Sequence, residues 1–232
     1  MAERTLFING DIADDAFFES DVTADLFREE LSSGKGPITL WINSNGGSCF
    51  AAASIYNMLR EYPGDVTVKV DGLAASAASV IAMAGDRVYM GPVSMMMIHN
   101  PSTIAMGDHT EMEKAAAMLD EVKESIINVY EMRTGLPRKE LAKMMEKEKW
   151  ISAKEALDLG FIDGILFQDS GHPPEKSPGS IEDHMEKDSG DDDDSILFSI
   201  AAKAPDVPYG RSCDTLNGRL QMLKDALQIE VR

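Results

Sequence analysis

Three short segments hold residue types suited to nucleophilic catalysis. Ser76 lies in Gly72-Leu-Ala-Ala-Ser76-Ala-Ala-Ser79, where an apolar strand pattern gives way to a run of small residues. A serine at a strand-to-helix junction can expose its hydroxyl while the first free N–H groups of the helix face the same place. Small neighbours would let a substrate backbone approach. The same run suits plain close contact between helices, and spacing does not choose Ser76 over Ser79, since positions three apart share a helix face. His99 ends the apolar stretch Met95-Met-Met-Ile-His99. Its ordinary pKa of about 6.5 suits a general base, although a histidine at a strand end equally suits a structural hydrogen bond. Gly46-Gly47 reads either as a turn or as backbone N–H groups aimed at an oxyanion.

Other chemistries find less support. The four histidines (His99, His109, His172, His184) have no HExxH or cysteine-rich spacing, so no metal site is expected. There is no GxxxxGK[ST] and no GxGxxG phosphate cradle, and no cofactor is expected. The acidic run Asp191–Asp194 reads as a solvated spacer.

These segments need elements to position them. Thr5–Asn9 and Ile38–Asn43 read as short buried strands, with the amphipathic stretch Val22–Leu31 between them. Cys49–Leu59 has helical spacing, and Val66–Val70 is a strand that Asp71-Gly72 ends. Ala74–Ala84 reads as a buried helix, and Arg87–Met90 and Met95–His99 as strands. The periodicity predicts a long helix over Thr110–Arg133, with Thr110 as N-cap, Glu113 at the capping-box position and Gly135 as stop. A shorter helix follows with Pro137 at N1. Ser152–Leu159 opens with a second capping box, Ser152 to Glu155, and Phe161–Phe167 returns as a strand. Strands alternating with helices indicate an α/β class. The Met95-Met96-Met97 cluster reads as core.

Composition narrows the function further. The chain has 232 residues and a formal net charge of −18, which repels a nucleic-acid backbone. Between Gln168 and Ser195 there are ten Asp/Glu and two Lys. With its Gly-His-Pro-Pro and Ser-Pro-Gly-Ser stretches, that segment is expected to be a disordered acidic linker. The expected organisation is a domain over 1–167, the linker over 168–195, and an extension over 196–232 with an apolar patch (Ile196–Ala202) and a helix over Leu216–Ile229. No apolar run reaches the roughly 18 residues of a membrane span, and the N-terminus lacks signal-peptide character. Two cysteines, Cys49 and Cys213, form no disulfide framework, which fits a cytoplasmic chain.

Taken in order, Ser44-Asn-Gly-Gly-Ser48, Gly72-Leu-Ala-Ala-Ser76 and Met97-Ile-His99-Asn-Pro101 resemble the Clp protease proteolytic subunit family. The resemblance continues through Thr134-Gly135 and Trp150-Ile-Ser-Ala-Lys-Glu-Ala-Leu-Asp-Leu-Gly160-Phe-Ile-Asp163, and covers nearly all of residues 5–167. It implies the ClpP/crotonase fold, a spiral of ββα units with a projecting handle, for which Thr110–Arg133 is the handle helix. It also implies Ser76 as nucleophile, His99 as base, and the N–H groups of Gly47 and Ala77 as the oxyanion hole. A Cβ at position 47 is expected to crowd the scissile carbonyl. The acid falls on Glu148, two residues before Trp150, where the family usually has Asp; Glu146 is the runner-up, and the run Glu146–Lys149 also reads as a solvated helix face.

The resemblance implies protein and peptide substrates and a homo-oligomeric ring, with two rings stacking through the handles. The segment Pro101–Asp108 could pair with a peptide as an added strand. The short N-terminal start puts docking of an unfoldase ATPase in doubt. Together with Glu in the acid position and the added tail, it resembles the Clp-related proteases that process phage scaffold and capsid proteins. Two competing readings are a crotonase-like acyl-CoA enzyme, for which a Ser–His pair would be surplus, and a non-catalytic assembly subunit whose Glu148 does not reach His99.

Overall fold

The computed structural model describes residues 3–18 and 20–168. The expectations for the linker and for Ile196–Ala202 and Leu216–Ile229 lie outside the described residues. The α/β class holds. In chain order the elements are β1 (Arg4–Ala13), β2 (Val22–Thr23), α1 (Ala24–Ser32), β3 (Ile38–Gly47), α2 (Cys49–Glu61), β4 (Val66–Ala75) and α3 (Ala77–Ala82). They continue with β5 (Arg87–Met90), β6 (Met95–Ile98), α4 (His109–Thr134), α5 (Arg138–Glu146), β7 (Lys149–Ser152), α6 (Ala153–Asp158) and β8 (Gly164–Ile165).

Strands β2-β1-β3-β4-β5-β8 form a parallel path, with β6 added parallel to β4 and β7 antiparallel to β6. Alternate positions Leu6 and Ile8, Leu40 and Ile42, Val66, Val68 and Val70 are buried against the helices. That period of two places the core on one sheet face. Ile55 and Leu59 of α2 and Ile81 of α3 fill the other side of it.

Strand β4 runs five residues past its expected end. Val66–Val70 of β4 pairs with β3, and Thr67–Val70 also with β5; beyond Asp71-Gly72 the strand leaves β5, and Leu73, Ala74 and Ala75 pair with Met95, Met96 and Met97 of β6. The Asp-Gly signal marks a change of partner rather than a stop, and the Leu73 N–H donates to Asn43 Oδ1 at 3.2 Å across that change. Ala74 and Ala75 therefore belong to a strand, and α3 begins only at Ala77. Of the Met95-Met96-Met97 cluster expected in the core, Met96 is fully buried, while Met95 and Met97 are only partly buried on the other face of β6.

The long helix begins earlier than Thr110. Asp108 is its N-cap, accepting from the Glu111 N–H at 3.1 Å. Gly135 closes it in the left-handed conformation at φ 69°, donating to Glu131 O. At 26 residues α4 is roughly 39 Å long, yet only Ile127 and Tyr130, near its C-terminal end, are buried. The N-terminal half has no core to lie on, which is what a projecting handle requires. Because that half has no fully buried residue and is held mainly by its own backbone bonds, its cap and exposed ion pairs, Asp108→Ala, worth about 1 kcal/mol, should show locally. Amide exchange over residues 109–115 is expected to quicken about fivefold, with the global melt unchanged.

Two further boundaries differ. Pro137 is the N-cap of α5 rather than its first residue. Phe161 donates its N–H to Ala156 O at 2.9 Å, closing α6 after Gly160, so only Gly164–Ile165 remains free to pair as a strand. The second capping box is half formed: Ser152 Oγ accepts from the Glu155 N–H, while the Glu155 carboxylate turns to Lys149 Nζ at 2.7 Å.

Candidate active site

Ser76 stands where β4 passes into α3 with no intervening loop. Its N–H donates to Met97 O at 2.8 Å, which fastens the turn to β6 two residues before His99. Its backbone has φ 53° and ψ −123°, a conformation that non-glycine residues rarely adopt. Such a residue costs on the order of 1–3 kcal/mol and persists only where its surroundings over-determine it. Here the flanking Ala74, Ala75, Ala77 and Ala78 are all buried. The turn lifts the Ser76 side chain out of the core, where it remains partly exposed. Ser79, indistinguishable from Ser76 by spacing, is fully buried, and its hydroxyl donates inward to Ser76 O.

His99 follows directly on β6. Its Nε2 lies 2.7 Å from Ser76 Oγ. With Nδ1 protonated, Nε2 is the acceptor and the serine hydroxyl the donor, the polarity that general-base activation needs. The next residue ties the segment to α5, the Asn100 N–H donating to Met145 O at 3.2 Å.

Glu148 lies just outside the antiparallel β6–β7 ladder, in which Met97 opposes Trp150 and Ile98 opposes Lys149 as its last pair. His99 and Glu148 each adjoin that last pair, on opposite strands. Glu148 itself has φ 49° and donates its N–H to Met145 O, ending α5 and starting β7. Its exposed carboxylate accepts the Trp150 indole N–H at 3.2 Å, and among the described residues the His99 ring is hydrogen-bonded to Ser76 alone. Glu146 closes α5, outside that register.

The paired glycines divide their tasks differently from the expectation. A Cβ at Gly47, where φ is 143°, would sit 2.0 Å from Ile12 O, so the close approach of β1 by itself requires glycine there. Gly46 is the one that faces the serine. A Cβ on it would stand 2.7 Å from Ser76 Cβ, 2.9 Å from Ala77 N and 2.6 Å from Ala75 O, at φ 96°. Gly46 thus keeps open the space beside Ser76 and the Ala77 N–H. Ala77 is the first residue of α3, so that N–H has no carbonyl one turn back to bind. Gly46→Ala is expected to lower hydrolysis of an activated ester at least tenfold, since overpacking here acts on the reacting serine itself; unchanged hydrolysis would remove Gly46 from the site.

A largely apolar cavity of about 480 Å³ opens beside Ala77, walled by Phe50 and Tyr56 of α2, Val80 of α3, and Met118 and Val122 of α4. Cys49 also lines it, but burial, with a smaller contribution from Asp14, pushes its thiol upward, so at neutral pH it stays protonated and is a poor nucleophile. The site therefore offers a partly exposed hydroxyl bonded to an imidazole, a backbone N–H at a helix start and an apolar cavity beside that helix. That set suits attack on a carbonyl.

Comparison with known proteins agrees with this chemistry. Residues 1–169 match the family model described as Clp protease. Over 168 residues the chain is 35% identical to the ATP-dependent Clp protease proteolytic subunit 1 of Chlamydia caviae, covering 71% of this chain and 87% of that protein. The subunit of the same name from Chlamydia muridarum is 38% identical over 147 residues, 61% of this chain and 76% of its own. Subunit 2 of Thermobifida fusca is 31% identical over 168 residues, 72% and 82% respectively.

Proposed function

The chain belongs to the Clp protease family and is a Clp-type serine protease, and from that premise we propose that Ser76, His99 and Glu148 form its catalytic triad. The carrying observation is the 2.7 Å contact between Ser76 Oγ and His99 Nε2 on a strained strand-to-helix turn. As Ser76 Oγ attacks the scissile carbonyl, His99 takes its proton. The N–H groups of Gly47 and Ala77 hold the oxyanion, worth roughly 3–4 kcal/mol per donor in measured cases. His99 then protonates the leaving amine, and water releases the acyl group from Ser76 by the reverse sequence. Glu148 swings from Trp150 to His99 Nδ1, orienting the ring and stabilising its protonated form.

Substrate polypeptide lies as an added strand along Pro101–Asp108, with an apolar side chain in the cavity beside Ala77. The working unit is a homo-oligomeric ring, and α4, whose outer half is exposed, is the surface through which rings stack. Within that ring the enzyme serves either processing of phage scaffold and capsid proteins or degradation with an unfoldase ATPase; the relatives' names, which include ATP dependence, favour the second partner class. No helix among the described residues is long and apolar enough to cross a membrane.

Native mass measured beside cleavage of a permanently unfolded protein tests this reading. A ring that cleaves the protein unaided supports processing, and one that cleaves only short peptides supports an ATPase-fed core. A correctly assembled ring that hydrolyses neither would contradict it and leave an assembly subunit with a broken triad.

A further inference from the structure

Behind the serine lies a buried hydroxyl chain that the reaction itself does not use. Ser76 O accepts twice from Ser79, from its N–H at 3.0 Å and from its Oγ at 2.5 Å. Ser79 Oγ also lies 2.8 Å from the hydroxyl of Tyr130. The direction of this chain is determined by counting protons. A carbonyl can only accept, so the single Ser79 hydroxyl proton goes to Ser76 O, and Tyr130 must be the donor to Ser79 Oγ. Both side chains are buried, and the Tyr130 ring is braced edge-on by Phe161 at 5.7 Å between centroids. Burial also pushes the phenol well above its ordinary pKa, against a smaller downward pull from Ser79, so it remains a neutral donor.

The carbonyl that receives these bonds shares one planar peptide unit with the Ala77 N–H. In a trans peptide the C=O and the N–H point in opposite directions. Pinning Ser76 O inward therefore aims the Ala77 N–H outward, into the space that Gly46 leaves open. The first turn of α3 supplies one anchor through the Ser79 N–H, and the hydroxyl chain supplies a second.

We infer that Tyr130 and Ser79 are positioning residues for the oxyanion donor: the chain Tyr130 O–H to Ser79 O–H to Ser76 C=O holds the Ser76–Ala77 peptide at the angle that transition-state binding requires. This rests on the assignment of Ser76 and Ala77 above. It also ties the turn to α4, because Tyr130 is one of that helix's two buried residues. An oxyanion donor that drifts in angle loses stabilisation of the transition state while ground-state binding is untouched. The effect should accordingly fall on kcat and spare KM.

The test uses Tyr130→Phe and Ser79→Ala in the full chain, assayed with a fluorogenic peptide and with a peptide aldehyde as a transition-state mimic. Ile8→Val, a buried change in β1 away from the turn, serves as the control for lost stability. Tyr130→Phe is expected to lower kcat about tenfold, a fraction of the hundredfold or more seen when a donor is removed outright, with KM within twofold. Aldehyde affinity should fall by the same factor as kcat, and Ser79→Ala should move both in the same direction. The control should lower the melting temperature with kcat unchanged. The inference is overturned if both variants keep kcat, or if kcat and KM move together in step with melting temperature for all three proteins. Failure of the underlying assignment looks different: Ser76→Ala would then still hydrolyse the peptide.

Discussion

Ser76→Ala should abolish peptide hydrolysis, with a loss in kcat of about a million-fold. The magnitude follows from the geometry. Among the described residues, Ser76 Oγ is the hydroxyl bonded to the His99 ring, and the neighbouring Ser79 is buried with its proton committed to Ser76 O. Nothing else in the turn can take over the attack. What survives is the contribution of backbone donors and substrate positioning to attack by water, which is small beside covalent catalysis. Removing one oxygen from a partly exposed side chain leaves the buried alanines of β4 and α3 in place, so the melting temperature should be retained. A Ser76→Ala protein that keeps more than a thousandth of the activity would move the nucleophile elsewhere.

Glu148→Gln should lower kcat by about a thousand-fold to ten-thousand-fold, the range set by the analogous amide substitution in a serine protease triad. The amide keeps the size of the side chain and can still accept the Trp150 indole N–H. It can also offer an N–H to His99 Nδ1, which favours the ring tautomer that cannot accept from Ser76. Glu148→Asp, by contrast, keeps the charge and shortens the reach by one methylene, so activity should stay within about tenfold. A loss of less than tenfold for Glu148→Gln would take this residue out of the triad. Glu148 adjoins the last pair of the β6–β7 ladder, as His99 does, while its carboxylate accepts from Trp150. The pair of variants thus asks whether that side chain turns to His99 during the reaction.

Much of the sheet was legible from short apolar runs such as Ile38–Ile42 and Val66–Val70, because the apolar side chains of these strands are buried. The limits of legibility have physical causes. Asp71-Gly72 looks like a strand end because the backbone there exchanges β5 for β6, a tertiary event that a local signal cannot distinguish from a stop. Ser76 and Ser79 are alike on a helical wheel, yet Ser76 is not helical; its positive φ comes from the junction and from its bond to Met97, more than twenty residues on. Gly46 was missed as the residue facing the serine because either glycine of a Gly-Gly pair fits the pattern, and only the placement of β1 and of the Ser76 turn separates their tasks. Glu148 follows from family resemblance alone; it adjoins the end of a ladder between strands some fifty residues apart, which spacing does not encode. The Tyr130–Ser79 chain spans a similar distance and carries no sequence signature of its own.

The central claim is that Ser76 is an activated nucleophile, and intact mass after treatment with a fluorophosphonate probe tests it most directly. The account predicts one adduct per chain, located to the peptide containing Ser76 and absent from Ser76→Ala treated in parallel. A ring-assembled protein that takes up no probe, or an adduct that persists in Ser76→Ala, would contradict it.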